Sequence, residues 1–209
     1  MGARAQALPK ADTRTRLLAA AMELFAERGY AGTTVGEIER AAGLAPRSGA
    51  LYQYFSGKEA LLHAALEHEL GAVDELASVI ESLPPDDPRA ALTSLAEWNL
   101  ASLSRRKNLN RFIARDGDRL PQPLRAKLYE RLVARPFNQI ADILRAVLPA
   151  AGARRFDVEA LALIFVQSMA GYRSMESTFG KVVGGVDDQR FVRSWVEVAL
   201  AVARDAGVE

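Results

Sequence analysis

Residues 34–55 read TVGEIERAAGLAPRSGALYQYF, and this stretch decides the fold. Thr34 and Glu37 are spaced as in a capping box, in which the Thr hydroxyl accepts a hydrogen bond from the N3 amide and the Glu side chain reaches back. The pattern predicts a short helix from Thr34 to Ala42, ended by Gly43. A second short helical segment, residues 46–55, follows after a tight turn. Two short helices joined in this way predict a helix-turn-helix, whose second helix fits the major groove of DNA, about 12 Å wide.

The residues around this stretch are patterned for helices. Residues 1–12 predict a flexible arm, and a helix is expected from residue 13 to Arg28, where Gly29 ends it. A long amphipathic helix is expected to run to about residue 81, before the Pro-rich break at 84–88. Further helices are expected at 89–106, 109–117, 123–148 (kinked by Pro136), 157–179 and from 187 or 188 onward, with a Gly-rich turn at 183–186.

These patterns predict an all-α protein, since no alternating strand pattern and no repeat is present. An N-terminal three-helix helix-turn-helix domain, residues 13–60, is expected to be joined by a long helix to a larger helical ligand-binding and dimerisation domain, residues 61–209. For residues 13–60 the alternative is the plain end of a three-helix bundle, because Gly turns between helices are common.

The composition narrows the classes of function. The chain has no cysteine, which excludes disulfides and thiolate metal sites. No run approaches the roughly 20 apolar residues of a membrane helix, and the first residues lack the apolar core of a secretory signal. We therefore expect a soluble, cytoplasmic protein with no membrane partner. Residues 1–60 hold eight Lys or Arg against six Asp or Glu, which is weak support for binding nucleic acid.

Several blocks of sequence in fixed order make the functional prediction more specific. They are residues 26–30 (AERGY), 33–35 (TTV), Ile38, 41–44 (AAGL), 51–55 (LYQYF) and 58–62 (KEALL). Together they resemble the TetR family of transcriptional repressors over about residues 13–66. The resemblance implies a DNA-binding domain there, and beyond residue 66 it extends only to the general layout.

Seven residues are expected to contact DNA: Thr34, Arg47, Ser48, Gly49, Tyr52, Tyr54 and Lys58. Thr34 begins a helix whose free amides can bind a phosphate. Arg47 and Ser48 are expected at the start of the recognition helix, where the Arg can meet a base edge, a phosphate or solvent. Gly49 lets the backbone approach the groove wall.

The two tyrosines and the lysine are expected to bind the DNA backbone. The resemblance implies phosphate contacts by Tyr52 and Tyr54, and Lys58 is placed to clamp a phosphate at the start of the long helix. Residues 45–50 depart from the family pattern, because this stretch is two residues longer than usual. Since Pro46 is a favourable first residue of a helix, the extra residues can lengthen either the turn or the recognition helix.

The C-terminal part is patterned for pairing. Apolar residues recur at alternating three- and four-residue steps along residues 158–179 and again in the last helix, which predicts a seam for another helix. The resemblance implies that both helices pair with their copies in a twofold dimer; filling a monomeric core is the alternative. The expected dimer interface comprises Leu161, Phe165, Ser168, Tyr172, Met175, Phe191, Trp195, Val198 and Val202.

A sensing pocket for a small molecule is expected between about 89 and 148, covered by 157–179. Candidate lining residues are Trp98, Phe112, Tyr129, Phe137, Gln167, Met169 and Arg173, each of which also fits an ordinary core position. Arg173 can bind an acidic or polar part of a ligand, or simply pair with Glu176. The sequence does not identify the effector.

The function predicted from these patterns is that of a repressor. It would bind a palindromic DNA operator as a homodimer and be released by a small-molecule ligand, with no cofactor. One alternative keeps the fold in an activator or a ligand-independent adaptor. The other is a helical-bundle enzyme, but the only ligand-like cluster is His63, Glu67 and His68, and His68 is rotated off the shared face. We therefore expect no enzymatic activity and no metal site.

Overall fold

The computed structural model describes residues 10–71, 82, 84, 86–147 and 156–206, and the regular structure in these residues is entirely helical. Within them lie nine α-helices: α1 (Lys10–Arg28), α2 (Val35–Ala41), α3 (Lys58–Gly71), α4 (Pro88–Arg105), α5 (Lys107–Asp116), α6 (Gln122–Tyr129), α7 (Arg135–Val147), α8 (Val158–Phe179) and α9 (Asp188–Asp205).

Four short helical pieces connect them. Three are 3₁₀-helices, at Ala50–Gln53, Gly117–Arg119 and Val183–Gly185, and the fourth is a π-helical turn at Glu130–Ala134. We call Ala50–Gln53 the recognition turn, because it occupies the place of the expected recognition helix.

The all-α prediction is confirmed, with local differences. The first helix begins at Lys10, so residues 10–12 are not part of an arm; residues 1–9 lie outside the described part of the chain, as do residues 72–81 of the expected long helix. The expected helix 123–148 is divided by the π-helical turn. Pro136 has no amide to donate to the preceding turn and its ring crowds that turn's carbonyl, so the helix widens just before it.

Within the described residues, the first compact unit comprises residues 10–71 together with residues 108–125. In it α1 packs against α2 and α3 around the buried side chains of Phe25, Ile38 and Leu51. The sequence had assigned residues 108–125 to the C-terminal domain, and the structure places them with the N-terminal one.

Contacts at the end of α1 explain this placement of α5. The ring of Phe112 lies 6.1 Å from that of Phe25, centroid to centroid, and is wholly buried. The Asp116 carboxylate accepts a hydrogen bond of 2.9 Å from the Tyr30 amide, and Arg115 donates to the Glu27 carbonyl at 2.5 Å. Arg115 thereby satisfies a backbone carbonyl at the C-terminal end of α1, where carbonyls lack partners within the helix, and Asp116 satisfies an amide just beyond that end.

The second compact unit holds α4, α7, α8 and α9. Helix α4 packs against α8 and α9, and α8 packs against α7. The predicted starts of α8 and α9 are confirmed, since Asp157 and Asp187 each accept a hydrogen bond from the third amide of their helix. No helix in the described residues is both long and apolar enough to cross a membrane.

Candidate nucleic-acid interface

Helix α2 is held at its start by the predicted capping box. The Thr34 amide donates to the Glu37 carboxylate at 2.8 Å, and the Glu37 amide donates back to the Thr34 hydroxyl at 3.3 Å. The Thr34 hydroxyl also donates to the Glu37 carboxylate at 2.7 Å. This bond and the one from the Thr34 amide, with Arg28 at 2.7 Å, lower the pKa of Glu37 below its ordinary value. The cap is confirmed, whereas a phosphate contact by Thr34 stays a prediction.

An extended turn, residues 43–49, links α2 to the recognition turn. Gly43 and Gly49 have φ of 71° and 74°, and Arg47 has φ of 60°, a conformation that a non-glycine residue rarely adopts. The two extra residues therefore lengthen the turn and not the helix. Pro46 does not open a helix, so the expectation that Arg47 and Ser48 start the recognition helix was wrong.

The exposed residues of the extended turn fold back towards the start of α2. The Cγ atom of Arg47 lies 3.4 Å from where a Cβ on Gly36 would stand, while residues 45–48 are exposed. A Cβ on Gly49 would meet nothing within 4 Å, so its backbone conformation, and not lack of space, favours glycine there.

The recognition turn is much shorter than the expected helix 46–55. It spans Ala50–Gln53, because the left-handed conformation of Gly49 prevents the helix from starting earlier. Leu51 and Phe55 are buried, while Tyr52 is 61% exposed. Tyr54 is half-buried. Leu51 and Phe55 thus anchor the recognition turn in the core, while Tyr52 faces solvent.

Lys58, predicted to clamp a phosphate, already has partners within its own unit. Its ammonium donates to the Thr33 carbonyl at 2.6 Å and lies 4.2 Å from the centroid of the Tyr30 ring. Burial lowers the pKa of Lys58, although Glu37 opposes this effect. The ammonium is therefore engaged by groups of its own unit, and a phosphate contact by Lys58 stays a prediction.

Two residues beside the recognition turn were missed by the sequence analysis. The Arg14 guanidinium lies 5.4 Å from the centroid of the Phe55 ring, and Arg14 is exposed. Glu39 is wholly buried, and its carboxylate accepts from the Leu51 amide at 3.1 Å. The sequence signal for the position of Glu39 was its spacing, since it lies four residues after Val35 and therefore on the same face of α2.

Three of the seven predicted pocket residues have other roles. Phe112 belongs to the core of the first unit, and Met169 is buried among Ala96, Leu100 and Val196 in the second. Arg173 binds Glu176 at 2.5 Å and also pairs with Asp188, so the predicted alternative, pairing with Glu176, is confirmed.

The remaining pocket candidates stay predictions. Trp98 and Phe137 are half-buried, and Tyr129 and Gln167 are exposed. The second unit also has an open cleft of about 480 Å³, lined in part by Tyr172, Glu176 and Lys181. The residues that line this cleft include none of the predicted pocket residues, all of which lie in the described ranges.

The predicted dimer seam is largely filled by the chain itself. Phe165 packs edge-on against Trp195 at 5.1 Å, and Tyr172 stacks on Phe191 at 4.2 Å. Phe165 and Tyr172 are buried, so they cannot meet a partner helix as expected. Burial and the hydrogen bond to Asp188 raise the pKa of Tyr172 to about 12.

The other predicted interface residues divide into covered and exposed groups. Leu161 packs against the Val158 cluster, and Ser168 donates to the Phe165 carbonyl; Met175 and Val202 are half-buried. Val198 is 55% exposed. The large apolar residues of α8 that are exposed are Leu163, Ile164 and, at the end of the helix, Phe179.

Comparisons with known proteins agree with this architecture. Residues 17–65 match the model of the bacterial regulatory proteins, tetR family. KstR2 of Rhodococcus jostii, named an HTH-type transcriptional repressor, is 40% identical over 88 residues, which are 41% of this chain and 41% of KstR2. CymR of Pseudomonas putida, named an HTH-type transcriptional regulator, is 29% identical over 205 residues, covering 94% of this chain and 93% of CymR.

A solved structure extends the likeness in fold to the whole chain. It is a bacterial regulatory protein in the TetR family from Rhodococcus RHA1, with a TM-score of 0.66 and 23% identity, covering 97% of this chain and 100% of that one. Sequence matches to the first curated relatives span less than half of their length, 28% for YerO of Bacillus subtilis.

Residues 17–65 therefore match the model of one family of bacterial regulatory proteins, and the described helices as a whole share their fold with a solved protein of that family. Over residues 17–65 the chain is similar to the tetR family of bacterial regulatory proteins.

Proposed function

We propose that this protein regulates transcription by binding a palindromic DNA operator as a homodimer. The observation that carries the proposal is the exposed recognition turn and extended turn, which stand on a rigid apolar core. Phosphate contacts position a protein on DNA, and contacts to base edges give specificity. A short exposed segment that the protein core holds in place can make both kinds of contact.

The proposed contact surface comprises Arg14, Arg47, Ser48, Tyr52 and Gln53, all of which are exposed. Arg47 can donate two hydrogen bonds to a guanine edge, and Tyr52 can place its hydroxyl on a phosphate. Thr34, Gly49 and Tyr54 are proposed at the margin of this surface. Lys58 supports it from inside, through the Thr33 carbonyl.

The proposed dimer uses the solvent-facing side of α8 and α9. Of the interface residues predicted from sequence, it keeps the exposed Val198 and leaves out the buried Phe165 and Tyr172. Ile164 is 61% exposed and Val198 is 55% exposed. A Cβ on Gly171, on the same helix as Ile164, would meet nothing within 4 Å, which leaves room for a close helix contact. Exposed apolar residues that line up on one face indicate an interface.

The proposed output is repression that a small molecule relieves. KstR2 is named a repressor, and its likeness to this chain favours that output over activation. An effector acts only by binding one conformational state more tightly than another. A hundredfold loss of operator binding requires a difference of about 2.7 kcal/mol between the two states.

Selection of bound fragments from genomic DNA tests the proposal. The expected result is enrichment of inverted repeats whose half-sites are separated by about 10 base pairs or a multiple of that. Direct repeats bound by single chains would contradict the homodimer, and no enrichment at low ionic strength would favour an adaptor that does not bind DNA.

A further inference from the structure

The recognition turn is too short to be held in place by its own hydrogen bonds alone. It has only four residues, and Gly49 at its start provides no side-chain cap. Short 3₁₀ segments have poor hydrogen-bond geometry and need outside support. The Tyr52 amide reaches the Gly49 carbonyl at 3.1 Å, and the Ala50 amide reaches the Ser48 hydroxyl only at 3.3 Å.

Glu39 on α2 supplies that support at both ends of the extended turn. Its backbone carbonyl accepts from the Leu44 amide at 2.8 Å, where the chain leaves α2. Its side chain accepts from the Leu51 amide at 3.1 Å, where the recognition turn begins. One residue therefore fixes the entry and the exit of a turn that contains the positive φ of Arg47.

The burial of Glu39 indicates that its side chain serves mainly to accept the hydrogen bond from the Leu51 amide. Glutamate is rarely buried without a partner, and here the side chain is wholly buried. Its second carboxylate oxygen has no hydrogen-bond partner among the described residues. Burying such a carboxylate raises the free energy of the folded state, and the hydrogen bond from the Leu51 amide offsets part of this cost.

From this geometry we infer that Glu39 is a positioning residue for DNA recognition, holding the recognition turn at the angle to α2 that presents Arg47 and Tyr52 to one base sequence. The inference rests on the proposed function. It predicts a specific failure when the bond is lost: the exposed cations remain, so binding to any DNA persists, but the preference for one sequence weakens.

The test compares three variants on two duplexes. The first duplex is one selected by the wild-type protein from a random pool, and the second is its scrambled counterpart. Glu39→Met keeps the length of the side chain without the acceptor, Glu39→Asp keeps the charge but is too short to reach, and Glu39→Gln keeps an acceptor oxygen. Met22→Ala removes a buried side chain of α1 and controls for a general loss of stability.

Glu39→Met and Glu39→Asp are expected to bind the selected duplex about tenfold more weakly while their affinity for the scrambled duplex stays unchanged. Glu39→Gln should stay within about threefold of wild type on both, and Met22→Ala should keep the wild-type ratio below its melting temperature. Exchange of the Leu51 amide proton should accelerate in Glu39→Met and Glu39→Asp. If Glu39→Met does not fold, Glu39→Asp decides the outcome.

A wild-type ratio of affinities in Glu39→Asp would overturn the inference, as would an equal loss of selectivity in Met22→Ala. Either result leaves the proposed function intact, because the wild-type protein still prefers one duplex. A wild-type protein that selects no duplex would instead contradict the proposed function, and the inference with it.

Discussion

At the scale of single residues, the charged and polar groups of the first unit divide by whether they already have partners. The Lys58 ammonium is bound to the Thr33 carbonyl and the Tyr30 ring, and the Thr34 hydroxyl is used in the capping box. Arg47 is exposed and held in a strained backbone conformation. Strain of this kind persists where the surrounding structure enforces it and often marks functional positions.

Replacing Arg47 by Gly separates stability from DNA binding. Glycine adopts a φ of 60° without steric penalty, so Arg47→Gly should leave the melting temperature unchanged or slightly raised. The loss of the guanidinium should weaken binding to the selected duplex by about 1–3 kcal/mol and relax preference at one base position. Thermal unfolding and competition binding measure the two effects. Equal weakening on all sequences would assign Arg47 to a phosphate.

Replacing Lys58 by Met tests its structural role. Removing the ammonium leaves the Thr33 carbonyl without this donor, so Lys58→Met should lower the free energy of unfolding by roughly 1–3 kcal/mol. The dependence of DNA affinity on salt should stay as in wild type. The exposed Lys107→Met has the same change of charge and serves as the control. A flatter salt dependence with unchanged stability would show that Lys58 binds phosphate.

At the scale of elements, the features that were predicted correctly depend on residues that lie close together in the sequence. The caps at Thr34, Asp157 and Asp187 begin α2, α8 and α9 because each cap depends only on the next three residues. Pro136 predicted a disturbed helix for a similarly local reason.

What the sequence analysis could not predict depends on distant contacts. Asp116 binds the Tyr30 amide across 86 residues, and this contact decides to which unit α5 belongs. The seam of α8 was correctly recognised as apolar, but its periodicity could not distinguish a partner helix from α4 and α9 of the same chain. The choice between a longer turn and a longer recognition helix stayed open because Arg47 carries no sequence signal for a positive φ.

One ion-pair cluster joins three helices of the second unit and should respond to acid. Arg173 of α8 donates to the Leu100 carbonyl of α4 and pairs with Asp188 of α9. The hydrogen bond from Arg173 holds the pKa of Asp188 below its ordinary value of 3.8. A carboxylate with a lowered pKa stabilises the fold above its ordinary pKa, and this contribution disappears as the pH falls through the lowered value.

Asp188→Asn should therefore be less stable than wild type at pH 7, by no more than about 1 kcal/mol because the pair is partly exposed. The difference should persist to about pH 5 and shrink as the pH falls below about 4. Urea unfolding at each pH measures it. A difference that grows in acid would contradict the assignment of the shift to Arg173.

At the scale of the whole molecule, one chain presents one recognition turn, and a palindrome requires two. The proposed twofold partner would cover the exposed apolar residues Ile164 and Val198. Cyclic dimers place the same patch of both chains in contact, so one substitution acts twice at the interface.

Ile164→Glu should convert the dimer into a folded monomer, because the side chain is 61% exposed within its own chain and the new charges would meet across the twofold axis. Sedimentation velocity with circular dichroism checks both parts. Val183→Glu, at a residue 79% exposed in the turn before α9, is the matched control and should remain dimeric. Tyr172→Glu should unfold the second unit instead, since Tyr172 is buried. A dimeric Ile164→Glu would move the interface elsewhere.

The most direct test of the account places a cleavage reagent on the recognition turn. Because the chain contains no cysteine, Gln53→Cys offers a single attachment site for an iron chelate on an exposed residue of that turn. On the selected duplex, hydroxyl radicals should cut in two clusters related by twofold symmetry, one in each half-site. Cleavage no different from that on a scrambled duplex would contradict the claim that this turn enters the groove of DNA.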